Sequence, residues 1–365
     1  MCAFPASLPQ NDLHLTVAES RPMPLQIRPP LAPMEALSVD RIPEGHEWQY
    51  EPKWDGFRCL AFRENASVEL QSKALQPLTR YFPEVSNALE QISAQSFVLD
   101  GEIAVPEGRG FSFDALLQRI HPAASRVKRL AAETPAIYVV FDILAGKDGE
   151  SLLAEPLTSR RDMLEAFRAA YFPEGGRIRL SPATTKLTQA RKWLSQTGAT
   201  LDGIIAKRRD LDYRSGSREG MQKIKNFRSA DCVIGGFRYG ASGKSVGSLL
   251  LGLYGEDGLL HHVGFTSGIS AAERPAFTKT LEHHLGAPGF TGKAPGGPSR
   301  WNRGKDNEWR PLKPKLVVEV CYDHVTGNRF RHGTKLLRWR PDKAPEQCTM
   351  DQLAQKKSDL LRLLK

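Results

Sequence analysis

The sequence predicts a mixed α+β domain followed by a small all-β barrel, and three observations support this prediction. The chain has 365 residues, which at about 150 residues per domain suggests two domains. Between residues 48 and 231, strand-like runs mix with helix-like periodicity without strict alternation, which favours α+β over a doubly wound sheet. After residue 231 the strand-like runs are separated by glycine-rich turns, as in a small closed barrel.

The elements of the first domain follow from two periodicities. Short apolar or alternating runs bounded by turn residues predict strands at 47–53, 57–62, 67–72, 96–105, 136–144 and 201–207. Apolar residues that recur every three or four positions predict helices at 80–92, 113–120, 159–172 and 188–198.

The second domain is predicted from strands at 232–240, 248–268 and 316–326. Asp257-Gly258 is a hairpin signal inside the second of these runs, and the helical pattern at 271–285 reads as an insertion between barrel strands. Thr349 and Gln352 have the spacing of a helix capping box near the C-terminus. The chain thus divides into a flexible, proline-rich N-terminal arm over 1–23, the α+β domain over 24–230, the barrel over 231–345 and a C-terminal helix over 346–365.

Composition excludes several classes of protein. The chain is 40% hydrophobic and 25% charged, as ordinary soluble proteins are, and no apolar run approaches the roughly 20 residues that span a bilayer. Its five cysteines are scattered, which argues against a disulfide scaffold or a four-cysteine zinc site. The first residues lack the pattern of a signal peptide. We therefore expect a cytoplasmic protein that does not bind membranes.

The positive charge is concentrated in the barrel. Residues 231–343 contain 17 Lys and Arg against 10 Asp and Glu, an excess of seven in a chain whose net charge is +10. Such a barrel could bind a polyanion, or it could simply have a solvated basic surface. Charge alone does not decide between these two readings.

The segment from Glu51 to Arg58, with sequence EPKWDGFR, is a candidate catalytic motif. A lysine that attacks phosphorus must lose its proton, so Lys53 would need partial burial and neighbouring cations that lower its pKa. Lys53 precedes a glycine turn and has Arg58 nearby. The isolated pattern would equally suit a surface turn with a salt-bridging lysine.

An ordered series of further motifs follows Lys53. Asp100-Gly101-Glu102 and Asp202-Gly203 each place a carboxylate at a predicted strand, and Phe141 offers an aromatic face near the end of another. Lys223 and Lys225 point to one face of an extended segment, because side chains alternate along a strand. Two adjacent ammonium groups are costly unless an anion lies between them, and a phosphate fits there.

In this order and spacing, the motifs resemble those of the nucleotidyltransferase superfamily of ATP-dependent DNA ligases and RNA-capping enzymes. The chain is most similar to bacterial stand-alone DNA ligases of the C type and to the ligase domain of bacterial end-joining ligases, from about Pro24 to Lys343. The resemblance implies an adenylation domain of antiparallel sheets with helices, followed by a five-stranded oligonucleotide-binding (OB-fold) barrel.

The resemblance also implies roles for the residues that bind the nucleotide. Lys53 would be the nucleophile that takes AMP from ATP. Glu51 would read the adenine amino group, and Phe141 would stack on the base. Arg58 would hold the ribose and phosphate region together with the Ser72-Lys73 pair, where many relatives have Ser-Arg.

Metal and phosphate roles are implied in the same way. Asp202, which stands where many relatives have Glu, would bind the divalent cation, and Glu102 would contact the ribose or help organise that metal. Lys223 and Lys225 would grip the α-phosphate. In the barrel, the basic groups that resemble the last family motif would orient the departing diphosphate; this motif comprises Arg331, Arg338, Arg340, Asp342 and Lys343.

The expected activity is therefore ATP-dependent sealing of nicked double-stranded DNA, with ATP as the AMP donor and Mg²⁺ or Mn²⁺ as the metal. We expect a monomer of the bacterial cytosol or nucleoid that works in DNA repair, with other repair proteins as candidate partners. Domain closure would use residues 228–231 as a hinge. Two alternatives remain open at this stage: an RNA ligase or capping-type nucleotidyltransferase, and a non-catalytic nucleic-acid-binding protein.

Overall fold

A computed structural model of the chain describes residues 24–196, 201–240, 243, 245–296, 308–354 and 360–364. The predicted N-terminal arm over 1–23 lies outside the described residues. Among the helices in the described ranges, none is both long and apolar enough to cross a membrane.

The first part of the chain folds into two main sheets with helices around them. Its strands are β1 (Leu37–Ser38), β2 (Trp48–Lys53), β3 (Phe57–Glu64), β4 (Ser67–Ser72), β5 (Ser96–Ala104), β6 (Pro106–Glu107), β7 (Gly110–Phe111), β8 (Ile137–Ala145), β9 (Ile178–Leu180), β10 (Gly203–Arg208) and β11 (Met221–Lys225). Its α-helices are α1 (Pro83–Glu90), α2 (Phe113–Gln118), α3 (Ala124–Glu133), α4 (Leu157–Tyr171) and α5 (Leu187–Gln196).

The two sheets are mostly antiparallel. One has the strand order β4-β3-β5-β8-β9, with only the β8–β9 pair parallel. The other has the order β1-β11-β10-β2, with only the β1–β11 pair parallel. Apolar side chains such as Leu60 and Val98 of the first sheet and Met221 of the second form one buried cluster between them. The predicted α+β class with antiparallel sheets is confirmed.

Helix α3 is a helix that the sequence analysis missed. Among its residues only Val127 is buried. Helix α4 is the opposite case. Its buried Leu164 and Phe167 pack against the five-stranded sheet, and the same residues produced the periodicity that predicted it.

The second part of the chain is built around a six-stranded antiparallel sheet, in which five strands follow the order β14-β13-β12-β16-β19 and β15 pairs with β12. A parallel bridge between Thr266 and Thr334 links its two edges. The predicted hairpin at Asp257-Gly258 joins β13 to β14, with Gly258 at φ +70°, and the predicted helical insertion is α6. The elements are β12 (Arg228–Tyr239), β13 (Val246–Tyr254), β14 (Leu260–Thr266), α6 (Arg274–His283), β15 (Arg310–Pro311), β16 (Val317–Tyr322), β17 (Val325–Thr326), β18 (Arg329–Phe330) and β19 (Lys335–Trp339).

The linker predicted near residues 228–231 lies just before them. These residues begin β12 and pair in register with β16, Arg228 lying opposite Tyr322. A segment held in a sheet ladder cannot absorb large backbone rotations without losing those hydrogen bonds. The connection between β11 and β12 is instead Asn226 and Phe227.

The continuous C-terminal helix predicted over 346–365 is also not found in the described residues. Short 3₁₀ turns occur at Pro345–Gln347, Met350–Leu353 and Leu361–Leu363. Thr349 makes no side-chain cap, because the Gln352 side chain instead pairs with the backbone N–H and C=O of Asp231, at 2.9 and 3.1 Å. Tertiary contacts with β12 therefore replace the local capping interaction.

Candidate active site

Strand register brings four predicted site residues to one face of the four-stranded sheet. Gly203 of β10 lies opposite Lys53 of β2 on one side and Lys225 of β11 on the other. Two residues further along β10, Glu51 and Lys223 occupy the equivalent positions. Side chains alternate along strands, so these four residues project from the same face.

Gly203 lets Asp202 reach the nucleophile. Its φ is +139°, and a Cβ at this position would lie 1.9 Å from the carbonyl oxygen of Ile224. Only glycine fits such a close backbone approach. The resulting turn places Asp202 beside Lys53, where Nζ of Lys53 and a carboxylate oxygen of Asp202 form an ion pair.

The second sheet contributes Arg58 and Glu102, which lie opposite each other on β3 and β5. Nε and Nη2 of Arg58 donate to the two carboxylate oxygens of Asp100, each at 2.6 Å. The hydroxyl of Tyr213 donates to the same carboxylate at 2.7 Å. Asp100 is fully buried, so Arg58 is held in one orientation at the edge of the pocket.

The electrostatics around Lys53 differ from the expectation. Burial alone lowers the pKa of Lys53, but the negative charges of Asp202, Glu102 and Asp55 outweigh it, and the net shift is upward. Burial raises the pKa of the Glu102 carboxyl to about 7, against the opposing charges of Lys53 and Arg58. Lys53 is therefore an ammonium ion in the free protein. The predicted lowering of its pKa by neighbouring cations is wrong for this state.

A small cavity of about 80 Å³ lies at the predicted base end of the site. Its lining includes Glu51, Trp54, Phe141 and Lys207. Nζ of Lys207 lies 2.9 Å from Oε2 of Glu51 and 4.5 Å from the ring centroid of Phe141. Gln49 Nε2 donates to Oε1 of Glu51, also at 2.9 Å. The carboxylate predicted to read the base is thus buried and held at both of its oxygens.

A larger cavity of about 490 Å³ adjoins the first and holds the predicted phosphate residues. Lys53, Arg58, Lys73, Glu102 and Lys223 all line it. Burial, and then the charges of Lys53 and Lys225, lower the pKa of Lys223. This crowding of cations is the arrangement that a bound phosphate would relieve.

The metal ligands suggested by the sequence are few. Within the described ranges, no cluster of three or more His, Cys, Asp and Glu side chains could hold a metal ion. Asp202 and Glu102 are two hard oxygen donors beside Lys53. Mg²⁺ is commonly bound by one or two carboxylates plus substrate phosphates and water, so these two residues fit a metal that arrives with the nucleotide.

Comparison with known proteins gives the family. Residues 31–225 match the model of the ATP dependent DNA ligase domain, and residues 242–343 match that of the ATP dependent DNA ligase C terminal region. The chain belongs to the ATP-dependent DNA ligase family. The family, fold class and enzyme class expected from the motifs are thereby confirmed.

Three similar proteins illustrate the match. DNA ligase C2 of Mycolicibacterium smegmatis is 45% identical, over 91% of this chain and 96% of that protein. The multifunctional non-homologous end joining DNA repair protein LigD of Mycobacterium tuberculosis is 30% identical over 84% of this chain, which spans 38% of LigD. A solved Lig E DNA ligase, 18% identical, shares the fold with a TM-score of 0.52, covering 84% of this chain and all of that chain.

Three basic residues of the last motif lie away from the pocket. Arg338 pairs with Glu319 at 2.7 Å, while Arg340 and Lys343 pair with Asp231 at 2.7 and 3.7 Å. These partners are barrel residues, and neither cavity is lined by Arg338, Arg340 or Lys343. A role for them at the nucleotide stays a prediction that requires another arrangement of the two domains.

A different part of the barrel reaches the catalytic segment. Arg331 donates to both oxygens of Asp55, at 2.9 and 2.7 Å, and His324 lies 3.4 Å from the same carboxylate. Asp323 pairs with Lys225 at 2.6 Å. Arg331 belonged to the predicted last motif, but the contacts of Asp323 and His324 could not be foreseen because they depend on how the domains meet.

Within the first domain, Gln49, Tyr213 and Lys207 were also missed as site residues. Gln49 has a usable signal, since it lies two residues before Glu51 on the same face of β2. Lys207 follows Asp202 by five residues and lies on β10, but nothing in the sequence pairs it with Glu51. Tyr213 lies outside regular structure, and only the fold brings it to Asp100.

Proposed function

We propose that this ligase seals nicks in duplex DNA through a covalent lysyl-AMP formed at Lys53. The observation that carries the proposal is the placement of Lys53 on one sheet face with Glu51, Lys223 and Lys225, between a base-sized cavity and a cation-lined one. This order of groups matches the order of base and phosphates in ATP.

In the first step Nζ of Lys53 attacks the α-phosphorus of ATP. The N–P bond forms as the bond to the diphosphate oxygen breaks, and diphosphate leaves. Lys53 must first leave its ion pair and lose a proton, for which the paired carboxylate of Asp202 is the acceptor in place. Lys223 and Lys225 stabilise the negative charge on the phosphate oxygens.

In the second step an oxygen of the DNA 5′-phosphate displaces Lys53 from phosphorus, which gives a DNA–adenylate. In the third, the neighbouring 3′-hydroxyl attacks the 5′-phosphate, and AMP leaves. Catalysis of such transfers is chiefly positioning and electrostatic stabilisation, which suits a site of fixed charges.

Asp202 and Glu102 are the residues that would hold Mg²⁺ or Mn²⁺. A bound divalent cation would neutralise charge on the phosphates. The raised pKa of Glu102 fits this role, because a carboxylate that is costly to ionise in the free protein would be ionised more readily beside a cation.

Selection of ATP over GTP would depend on Glu51. Its carboxylate accepts hydrogen bonds, so it matches the amino group of adenine and opposes the carbonyl oxygen at the same position of guanine. Only 2% of Glu51 is exposed, and the salt bridge to Lys207 fixes the position of its carboxylate.

One experiment separates this function from its alternatives. Purified protein is incubated with Mg²⁺ and ATP or GTP labelled at the α-phosphate, and the intact mass and labelled peptide are measured. We expect one adenylyl group on Lys53 with ATP and none with GTP, followed by sealing of nicked DNA in preference to nicked RNA. Labelling by GTP, or preferential sealing of RNA, would favour a capping-type enzyme or an RNA ligase. Nucleic-acid binding without any covalent AMP would indicate a non-catalytic binding protein.

The biological role that fits best is DNA repair. LigD, the end-joining repair protein among the similar proteins, supports this assignment, and nicked duplex DNA would be the substrate. Contacts with other repair proteins, a monomeric state and a cytoplasmic location stay predictions.

A further inference from the structure

The end of the chain returns from the barrel to the first domain. Leu353 is buried in the barrel core. Leu360 lies in another cluster, and its backbone N–H donates to the carbonyl of Arg109 at 2.9 Å. The chain therefore leaves the barrel after residue 354 and lies on the first domain by residue 360.

Leu360 is one of the most deeply buried residues of the C-terminal segment, with 1% of its surface exposed. It belongs to a small buried cluster with Trp54, Val139, Phe141 and Leu201. Leu363 and Leu364, partly buried, pack against the same cluster. We call residues 360–364 the C-terminal tail.

Two members of this cluster also line the base cavity. Trp54 directly follows the nucleophile in sequence, and Phe141 is the residue expected to stack on adenine. The tail thus packs within the cluster whose members form walls of a cavity of only about 80 Å³. Small displacements of either ring would change the shape of so small a cavity.

Two contacts outside the C-terminal tail also hold Trp54. Its Nε1 donates to Oγ of Ser181 at 2.9 Å, and its ring meets Phe111 edge to face at 5.9 Å between centroids. Neither contact fills the space occupied by Leu360. A polar residue at 360 would bring water or an unpaired charge against the two rings.

We propose that the C-terminal tail is a positioning element of the nucleotide pocket, in which Leu360 holds Trp54 and Phe141 in the geometry that accepts adenine. The inference rests on the proposed use of this pocket for ATP. Residues 360–364 lie beyond both matched family regions, which end at 225 and 343, so neither match assigns the tail a role. Two walls of the base end are thus supported from behind by a segment that follows the barrel.

The test compares three full-length variants with the wild type: Leu360→Asp, the conservative Leu360→Met, and the control Leu259→Asp, which places the same charge at a barrel leucine that is 40% exposed. The readouts are KM for ATP and the maximal rate of lysyl-AMP formation, inhibition by tripolyphosphate, and the melting temperature. Tripolyphosphate lacks a base, so it reports the phosphate end of the pocket alone.

We expect Leu360→Asp to raise KM for ATP by about tenfold, with a smaller change in maximal rate and unchanged inhibition by tripolyphosphate. Leu360→Met and Leu259→Asp should keep wild-type KM. A folded Leu360→Asp protein with unchanged KM would overturn the proposal, and so would an equal loss of affinity for ATP and tripolyphosphate.

A chain ending at Ala354 replaces Leu360→Asp if that variant does not fold. A raised KM in the shortened chain supports the proposal, and an unchanged KM refutes it. If neither protein folds, the tail supports the whole fold rather than the pocket, and the proposal fails. If the wild type forms no lysyl-AMP, the proposed function fails, and calorimetric ATP affinities of the same variants then decide the role of the tail.

Discussion

The nucleotide pocket and the last barrel motif both carry charged residues that resemble family motifs, but the structure treats the two sets differently. In the pocket, Lys53, Lys223 and Glu102 line a shared cavity, because neighbouring strands fix their positions. In the barrel, Arg338 and Arg340 pair with acidic residues of their own domain. Register within a sheet determines which side chains meet, whereas residues of a second domain meet a site only in certain domain arrangements.

The contact between the two domains involves other barrel residues than Arg338 and Arg340. Within the described ranges, the barrel reaches the catalytic segment through Asp323, His324 and Arg331. Hydrogen bonds from Lys225 and His332 outweigh burial and lower the pKa of Asp323 to about 2, so this carboxylate is ionised at neutral pH. The ionised Asp323 therefore holds Lys225 in an ion pair, whereas the proposed reaction needs Lys225 to bind phosphate.

The largest effect is expected when Lys53, at the centre of the pocket, is replaced. Lys53→Ala should lower lysyl-AMP formation by more than about 10⁴-fold, because the nucleophile is gone. Lys53→Arg should lose the reaction equally, since a guanidinium stays protonated. Intact-mass analysis after incubation with ATP measures both, while binding of nicked DNA should persist. Normal adenylylation of either variant would show that another residue carries the AMP.

A smaller effect is expected at the metal site. Asp202→Ala should slow lysyl-AMP formation by about 10²-fold, since a proposed metal ligand and proton acceptor is removed. Asp202→Glu restores the residue found in many relatives and should recover most of the rate, measured by single-turnover labelling in Mg²⁺ and in Mn²⁺. Equal rates in Asp202→Ala and the wild type would place the metal elsewhere.

Replacing Arg340 of the last barrel motif tests whether this motif acts on ATP or only within the barrel. If it approaches ATP after a domain movement, Arg340→Ala should reduce lysyl-AMP formation by about tenfold without lowering the melting temperature. Arg208→Ala is the control, because it breaks an exposed pair with Asp210 that resembles the Arg340–Asp342 pair. A lower melting temperature with an unchanged rate would instead give Arg340 a purely structural role within the barrel.

The smallest effect is expected at the domain contact. Asp323→Asn removes the charge that holds Lys225, so lysyl-AMP formation should rise about two- to fivefold at low salt, and the difference from the wild type should shrink at high salt. Glu319→Gln, which breaks a pair inside the barrel, is the control. A slower reaction in Asp323→Asn would mean that the pair assists adenylylation rather than competing with it.

Local signals predicted much of the fold. The alternating run SVELQS forms β4 with the predicted bounds, and the hairpin predicted at Asp257-Gly258 is present. Helix α3 was missed, and the continuous C-terminal helix is not found because the Gln352 side chain pairs with the backbone of Asp231 rather than with the backbone N–H of Thr349. Local patterns report local energies, and they fail where tertiary contacts are stronger.

The sequence by itself was enough to identify the family and to predict Lys53 as the nucleophile, with carboxylates and lysines around it, because strand alternation and motif order carry that information along the chain. Only the tertiary structure decided that carboxylates, not cations, dominate the charge around Lys53, that Arg340 faces Asp231, and that Leu360 packs in one cluster with Trp54 and Phe141. Each of these outcomes depends on distances between residues that are far apart in sequence. Electrostatic and packing energies depend on those distances, and no periodicity along the chain encodes them.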